Sequence, residues 1–124
     1  MTTQALMDHC LNMNGAYLDY PFGPQLAAVR VGKTADKNGR IFAQFFSLKG
    51  IDVVTFSCDV LTGQFYKDLY PDVLMPAYHC PEFQRKYAYT LPVDKLPDEV
   101  MREMADSSYN TVIRKLPKYI RDSL

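Results

Sequence analysis

Apolar residues recur at helical spacing near both ends of the chain and gather into short β-branched runs between them. This pattern predicts helices flanking an antiparallel sheet. Near the N-terminus Leu6, His9, Cys10 and Met13 share one helical face, Thr2 and Thr3 offer capping hydroxyls, and Asn14-Gly15 ends the run. In Tyr20-Pro21-Phe22-Gly23 the proline and glycine exclude regular structure from residues 17–23 and predict a tight turn whose two aromatics plug the edge of the core. Residues 27–31 and 41–48 read as strands joined by the polar loop 32–40. After a turn at Lys49-Gly50-Ile51-Asp52, residues 53–58 form a third strand rich in β-branched side chains.

Asp59 is placed to cap a short helix carrying Leu61, Phe65 and Leu69 four residues apart, which ends near Tyr70-Pro71. Pro71, Pro76 and Pro81 then exclude a helix, because each removes a backbone donor and pushes the preceding residue toward extended geometry. Strand and loop follow, with residues 86–91 as one more strand. Leu96-Pro97-Asp98-Glu99 opens the last long helix, where proline suits the first turn and the two acids suit the positive end of the dipole. Val100, Met104, Ser108 and Val112 recur along it, flanked by Met101, Ala105 and Leu116, until Pro117 interrupts and residues 118–124 make a terminal turn. The fold class is α+β, an antiparallel sheet with N- and C-terminal helices packed on one face, and residues 1–124 form a single domain.

At 124 residues and 48% hydrophobic content the chain closes one core without metal or disulfide support. Cys10, Cys58 and Cys80 are odd in number and lack C-x-x-C spacing, and no apolar leader precedes them, so a cytoplasmic protein with reduced thiols is expected. No run approaches the roughly 18 apolar residues of a membrane span. A soluble monomer or weak dimer is expected. Fourteen lysines and arginines balance fourteen acids, so nucleic-acid contact would have to come from local patches. Two are visible: Arg114, Lys115, Lys118 and Arg121 near the C-terminus, and Lys33, Lys37 and Arg40 in the polar loop. Both also read as solvated surface.

Lys49, Arg85 and Lys86, with Phe83, Tyr87 and Tyr89 interleaved, have the composition of a phosphate-contacting, base-stacking surface; burial of Tyr87 and Tyr89 in the core is the competing reading. His79, between Tyr78 and Cys80, can stack and donate a hydrogen bond to a ligand, or simply satisfy a loop carbonyl. The adjacent pairs His9–Cys10 and His79–Cys80 are poorly spaced for joint chelation, so no metal is expected. There is no glycine-rich phosphate loop and no G-x-S-x-G elbow, and the cysteines read as small buried hydrophobes as readily as nucleophiles. No cofactor and no enzymatic activity are expected.

The order of short motifs carries a family resemblance over nearly the whole chain. Asn14-Gly15-Ala16-Tyr17, Tyr20-Pro21-Phe22-Gly23, Ser47-Leu48-Lys49-Gly50 and Ser57-Cys58-Asp59 come first. Tyr70-Pro71, Met75-Pro76-Ala77-Tyr78-His79, Leu96-Pro97-Asp98-Glu99, Ser108-Tyr109 and Lys115-Leu116-Pro117-Lys118 complete the series. In this order the chain resembles the MmcQ/YjbR-like proteins, with a frataxin-like (CyaY-like) fold. The resemblance implies an α-β-α "double wing" domain with a proposed role in DNA binding. The family pattern has glycine-tyrosine-histidine where this chain has Ala77-Tyr78-His79, then asparagine-lysine and histidine-tryptophan. Cys80-Pro81-Glu82 and Lys86-Tyr87 depart from it. The acidic ridge that serves iron in frataxin-like folds is reduced here to Asp8 on the first helix. The reading is a DNA-binding module using Lys49, His79, Arg85, Lys86 and Tyr87; the alternative is a protein- or small-ligand-binding module using the cleft beside the Tyr20–Gly23 turn.

Overall fold

A computed structural model describes residues 1–33, 39–77 and 88–124. The elements run α1 (Thr3–Leu11), β1 (Ala16–Asp19), β2 (Ala27–Val31), β3 (Arg40–Leu48), β4 (Ile51–Ser57), α2 (Val60–Leu69), β5 (Met75–Pro76), β6 (Ala88–Pro92), α3 (Asp98–Ile113) and α4 (Lys118–Arg121). The strands form one antiparallel sheet in the order β1-β2-β3-β4-β6-β5.

Cross-strand partners share a face of a pleated sheet, and two rungs define the buried one. Val29, Ala43, Phe56 and Tyr89 are successive partners across four strands, and Ala27, Phe45, Val54 and Leu91 form the next rung. All but Ala27 are buried, and they pack with Leu6 and Cys10 of α1 and Met101, Met104, Ala105 and Val112 of α3. The opposite face carries Ala28, Gln44, Thr55 and Thr90 in one rung, with the buried hydroxyls of Thr55 and Thr90 hydrogen-bonded at 2.6 Å.

α3 is fixed to the sheet by one hydroxyl. Between β2 and β3 the register slips: Val29 pairs with Ala43 but Arg30 with Ile41, so Phe42 is an extra residue whose carbonyl lies outside the ladder. Ser108 Oγ donates to that carbonyl at 2.5 Å and accepts from the Ser57 N–H at 2.8 Å. The Phe42 ring meets Tyr109 edge-on at 5.4 Å, and the Tyr109 hydroxyl donates to the Asn14 carbonyl where α1 gives way to β1. His9 Nε2 and Asp106 Oδ1, 2.8 Å apart, tie α1 to α3 at the surface.

α2 is held more lightly. Asp59 caps it, accepting from the Thr62 N–H and hydroxyl at 2.9 Å each. Its buried residues are Gly63 and Tyr66; the Tyr66 hydroxyl donates to Glu103 Oε2 of α3 at 2.7 Å. Leu61, Phe65 and Leu69, whose spacing marks the helix in the sequence, lie on its solvent side.

Several expectations are corrected. Residues 17–19 belong to strand β1, because pairing with β2 recruits a segment too short to show a period of its own. Tyr20 and Phe22 do not plug the core: both are exposed, since the turn they occupy projects beyond the sheet edge. The turn after β3 is only Lys49-Gly50, both with positive φ (52° and 80°), the backbone of a two-residue hairpin. Of the strand expected over 86–91, residues 88–91 lie in β6, and residues 86 and 87 lie outside the described residues.

Ser108→Ala is expected to cost about 1–3 kcal/mol in urea unfolding, because it strands the buried Phe42 carbonyl and Ser57 N–H together. Gly63→Ala should also destabilise. A Cβ there would sit 2.7 Å from the Tyr89 ring, and overpacking of roughly 1–3 kcal/mol outweighs the ~1 kcal/mol gained in helix propensity. For Asp59, hydrogen bonds from the Thr62 backbone and then its hydroxyl hold the carboxyl below its usual range, with the Arg114 charge adding to them. A lowered folded-state pKa contributes stability above the unfolded carboxylate value, and that contribution is lost as the pH falls through the folded one. Asp59→Ala should therefore cost about 1 kcal/mol at pH 7 and flatten the loss of stability below about pH 4 in acid-titrated thermal melts.

Candidate functional site

The loop between β2 and β3, the C-terminal segment and the start of α2 meet at one end of the sheet. Val31 pairs with Arg40, and the Gly32 N–H donates to the Gly15 carbonyl, so Lys33 and Arg40 flank the same end. Lys33 Nζ lies 5.7 Å from the centre of the Tyr119 ring, a cation–π contact between that loop and α4. Ile120 is buried on the inner side of α4, leaving Lys118 and Arg121 outside. Arg114 caps α3 close enough to Asp59 to help lower its pKa. The described segments 32–33, 39–40, 57–59 and 114–124 carry Lys33, Arg40, Arg114, Lys115, Lys118 and Arg121 against the carboxylates Asp59 and Asp122. All six cations are exposed. The described members of the two basic patches, separated by some seventy residues of sequence, therefore lie at one end of the sheet, and Lys37 lies outside the described residues.

The loop is anchored where it rejoins β3. Arg30 donates from Nε to Asp19 Oδ2 at 2.8 Å and from Nη1 to the Gly39 carbonyl at 2.7 Å, while the Gly39 N–H donates to the Tyr17 hydroxyl at 3.1 Å. Arg30 thereby belongs to the scaffold, and its charge is partnered by Asp19.

Lys49 stands apart from this surface. It is exposed at the β3–β4 turn, at the far end of a nine-residue strand from Arg40, about 27 Å away at the usual rise per residue. His79, Arg85, Lys86 and Tyr87 lie outside the described residues, but the backbone on either side of 78–87 is placed: the Ala77 N–H donates to the Ala88 carbonyl at 3.1 Å, and Ala88 pairs with Ser57. Ala77 and Ala88 themselves thus sit at the end of the sheet opposite Lys49. Tyr89 is buried, as the core reading holds.

Sequence reasoning did not find Tyr119, whose role depends on Lys33 eighty-six positions earlier; its only local signal is an aromatic residue set among Lys118 and Arg121. Burial pushes the Cys10 thiol up to about 12, with the Asp106 charge adding, and burial likewise pushes Cys58 up to about 12. Neither is a thiolate near neutral pH. Cys80 lies outside the described residues. Among the described residues no group of three His, Cys, Asp or Glu side chains could hold a metal ion, and no helix is long and apolar enough to cross a membrane. At the Lys49 end a shallow depression of about 550 Å³ is lined, among described residues, by Tyr20, Gly23 and Pro24.

Two solved structures share this fold. A Deinococcus radiodurans protein, DR2400, with a DUF419 domain superposes with a TM-score of 0.85 at 22% identity, covering 98% of this chain and 86% of that one. A Pseudomonas syringae protein solved by structural genomics superposes with a TM-score of 0.69 at 17% identity, covering 90% of this chain and 99% of that one. No curated protein matches the chain. The YjbR family model matches residues 11–111, from the end of α1 to within the last turn of α3, and the chain belongs to the YjbR family.

Proposed function

We propose that this YjbR-family protein is a nucleic-acid-binding module that grips phosphates through the basic end of its sheet. The observation that carries the reading is the joining of the β2–β3 loop to α4 through Lys33 and Tyr119, which gathers cations from distant parts of the chain. Exposed Lys and Arg side chains neutralise phosphates and release condensed counterions, which favours binding even where a chain's net charge is zero. In this reading Lys33, Arg40, Arg114, Lys118 and Arg121 contact backbone phosphates; His79, Arg85, Lys86 and Tyr87, which lie outside the described residues, are given no part in it. Lys49, at the other end, makes no contact, and we assign no residue a catalytic role.

A second reading, protein or small-ligand binding, is supported by the depression beside Tyr20 and Pro24 with Phe22 exposed on the same turn. It leaves the basic end unexplained.

Fluorescence anisotropy with a 20-bp duplex separates the two. With about five phosphates neutralised, the affinity should fall roughly five-hundredfold between 50 and 200 mM salt. The Lys118→Ala/Arg121→Ala double variant should lower the salt slope by about two, and Lys49→Ala should leave it unchanged. Absence of binding at low salt, or a slope indifferent to the double variant, would overturn the nucleic-acid reading.

A further inference from the structure

The solvent side of α2 is an apolar stripe on a helix that packs inward only through Gly63 and Tyr66. Leu61 is 83% exposed, Phe65 60% and Leu69 54%, on consecutive turns of one face, while Val60, 56% exposed, lies to the side of it. An aromatic side chain presents ~150–250 Å² when fully open and a leucine somewhat less, so the stripe leaves on the order of 350 Å² of apolar surface in water. A patch of that size is at the scale that marks interaction sites on small proteins.

We propose that this stripe is the contact between two copies of the chain, packed as an antiparallel pair of α2 helices about a two-fold axis. The spacing is self-complementary: Leu61 and Leu69 lie four residues to either side of Phe65. A two-fold axis at Phe65 sets Leu61 of each copy on Leu69 of the other and brings the two Phe65 rings together, the isologous arrangement of a symmetric dimer. The polar groups on this face allow it. Gln64 Nε2 donates to Asp68 Oδ1 within the helix at 2.7 Å, and the same axis places Asp68 opposite Thr62 of the second copy rather than opposite another acid. Lys67 does not intrude, since its amine donates to the Pro71 and Leu74 carbonyls at 2.9 and 2.7 Å. A second copy fits better than a membrane surface, which selects helices whose polar face is rich in Lys and Arg; the polar positions here are Thr62, Gln64, Asp68 and one lysine, Lys67, whose amine is held by backbone carbonyls.

The apolar area per copy is roughly half of the ~800 Å² per partner typical of stable complexes, so the dimer is a weak one, formed at high micromolar concentration. The inference rests on the exposure and spacing of α2 alone and stands or falls independently of nucleic-acid binding.

Sedimentation velocity on the full chain from 10 µM to 1 mM should show a rapid monomer–dimer equilibrium. Phe65→Glu should raise the dissociation constant at least tenfold with an unchanged circular-dichroism spectrum, because the side chain is already exposed. In the wild-type protein, amide NMR shifts that depend on concentration should be confined to residues 60–69. A chain monomeric at 1 mM, a Phe65→Glu variant that associates like the wild type, or concentration-dependent shifts that fall outside α2 would each overturn the proposal.

Discussion

The architecture hangs on the hydroxyl of Ser108. A sheet with an apolar face must be covered by helices on that face, and α3 has to sit at a defined height above β3 and β4. The extra residue Phe42 sets that height. It takes one carbonyl out of the ladder and aims it at the helix, and Ser108 satisfies it while accepting from Ser57. The Phe42 carbonyl is buried and the Ser57 N–H half-buried, so an unpaired polar atom there costs more than a hydrogen bond contributes in water, and the helix cannot slide along the sheet without losing both contacts. From this point Phe42 and Tyr109 carry the order outward to Asn14, and hence to the junction of α1 and β1.

The same docking shapes the candidate surface. Because α3 is held at Ser108, its C-terminal end comes to the edge of β3 and β4, where Arg114 faces Asp59 and the chain turns at Pro117 into α4. Burial of Ile120 then fixes α4 against the loop after β2, with Tyr119 under Lys33. Six cations from three stretches of sequence are brought together mainly by apolar burial, with the Lys33–Tyr119 contact joining the loop to α4. Like charges so gathered repel one another, and the buried contacts of Leu116 and Ile120 together with the Lys33–Tyr119 interaction offset that cost. Such a surface lowers its own energy by meeting an anion.

α2 belongs to a different regime. One aromatic hydroxyl, one glycine contact and a cap hold it, while its large apolar side chains face water. Burial of apolar surface is the dominant favourable term in both folding and association, and a helix that leaves its stripe open retains that driving force for a partner. The domain thus presents two surfaces of opposite character, a charged end built from loops and helix termini and an apolar helical stripe.

Much of the fold was legible along the chain, because periodicity and capping are local. The face of α3 through Met104, Ser108 and Val112, the Asp59 cap, the strand at 27–31 and the break at Pro117 all follow from residues within a few positions of one another. The order of predicted elements likewise pointed to an α+β domain, and the order of motifs to a resemblance to the YjbR family. What the tertiary structure alone decided was which periodic faces are buried and which charges meet. Leu61, Phe65 and Leu69 have the spacing of a core face, yet the contacts of Gly63 and Tyr66 turn them outward. Tyr20 and Phe22 have core chemistry but sit on a turn past the sheet edge, and β1 exists only because β2 is there to pair with it. Lys49 shares its composition with the other candidate cations, yet a nine-residue strand carries it to the opposite end. Local patterns encode elements; the sign of a face and the company of a charge depend on long-range packing, to which no short stretch of sequence has access.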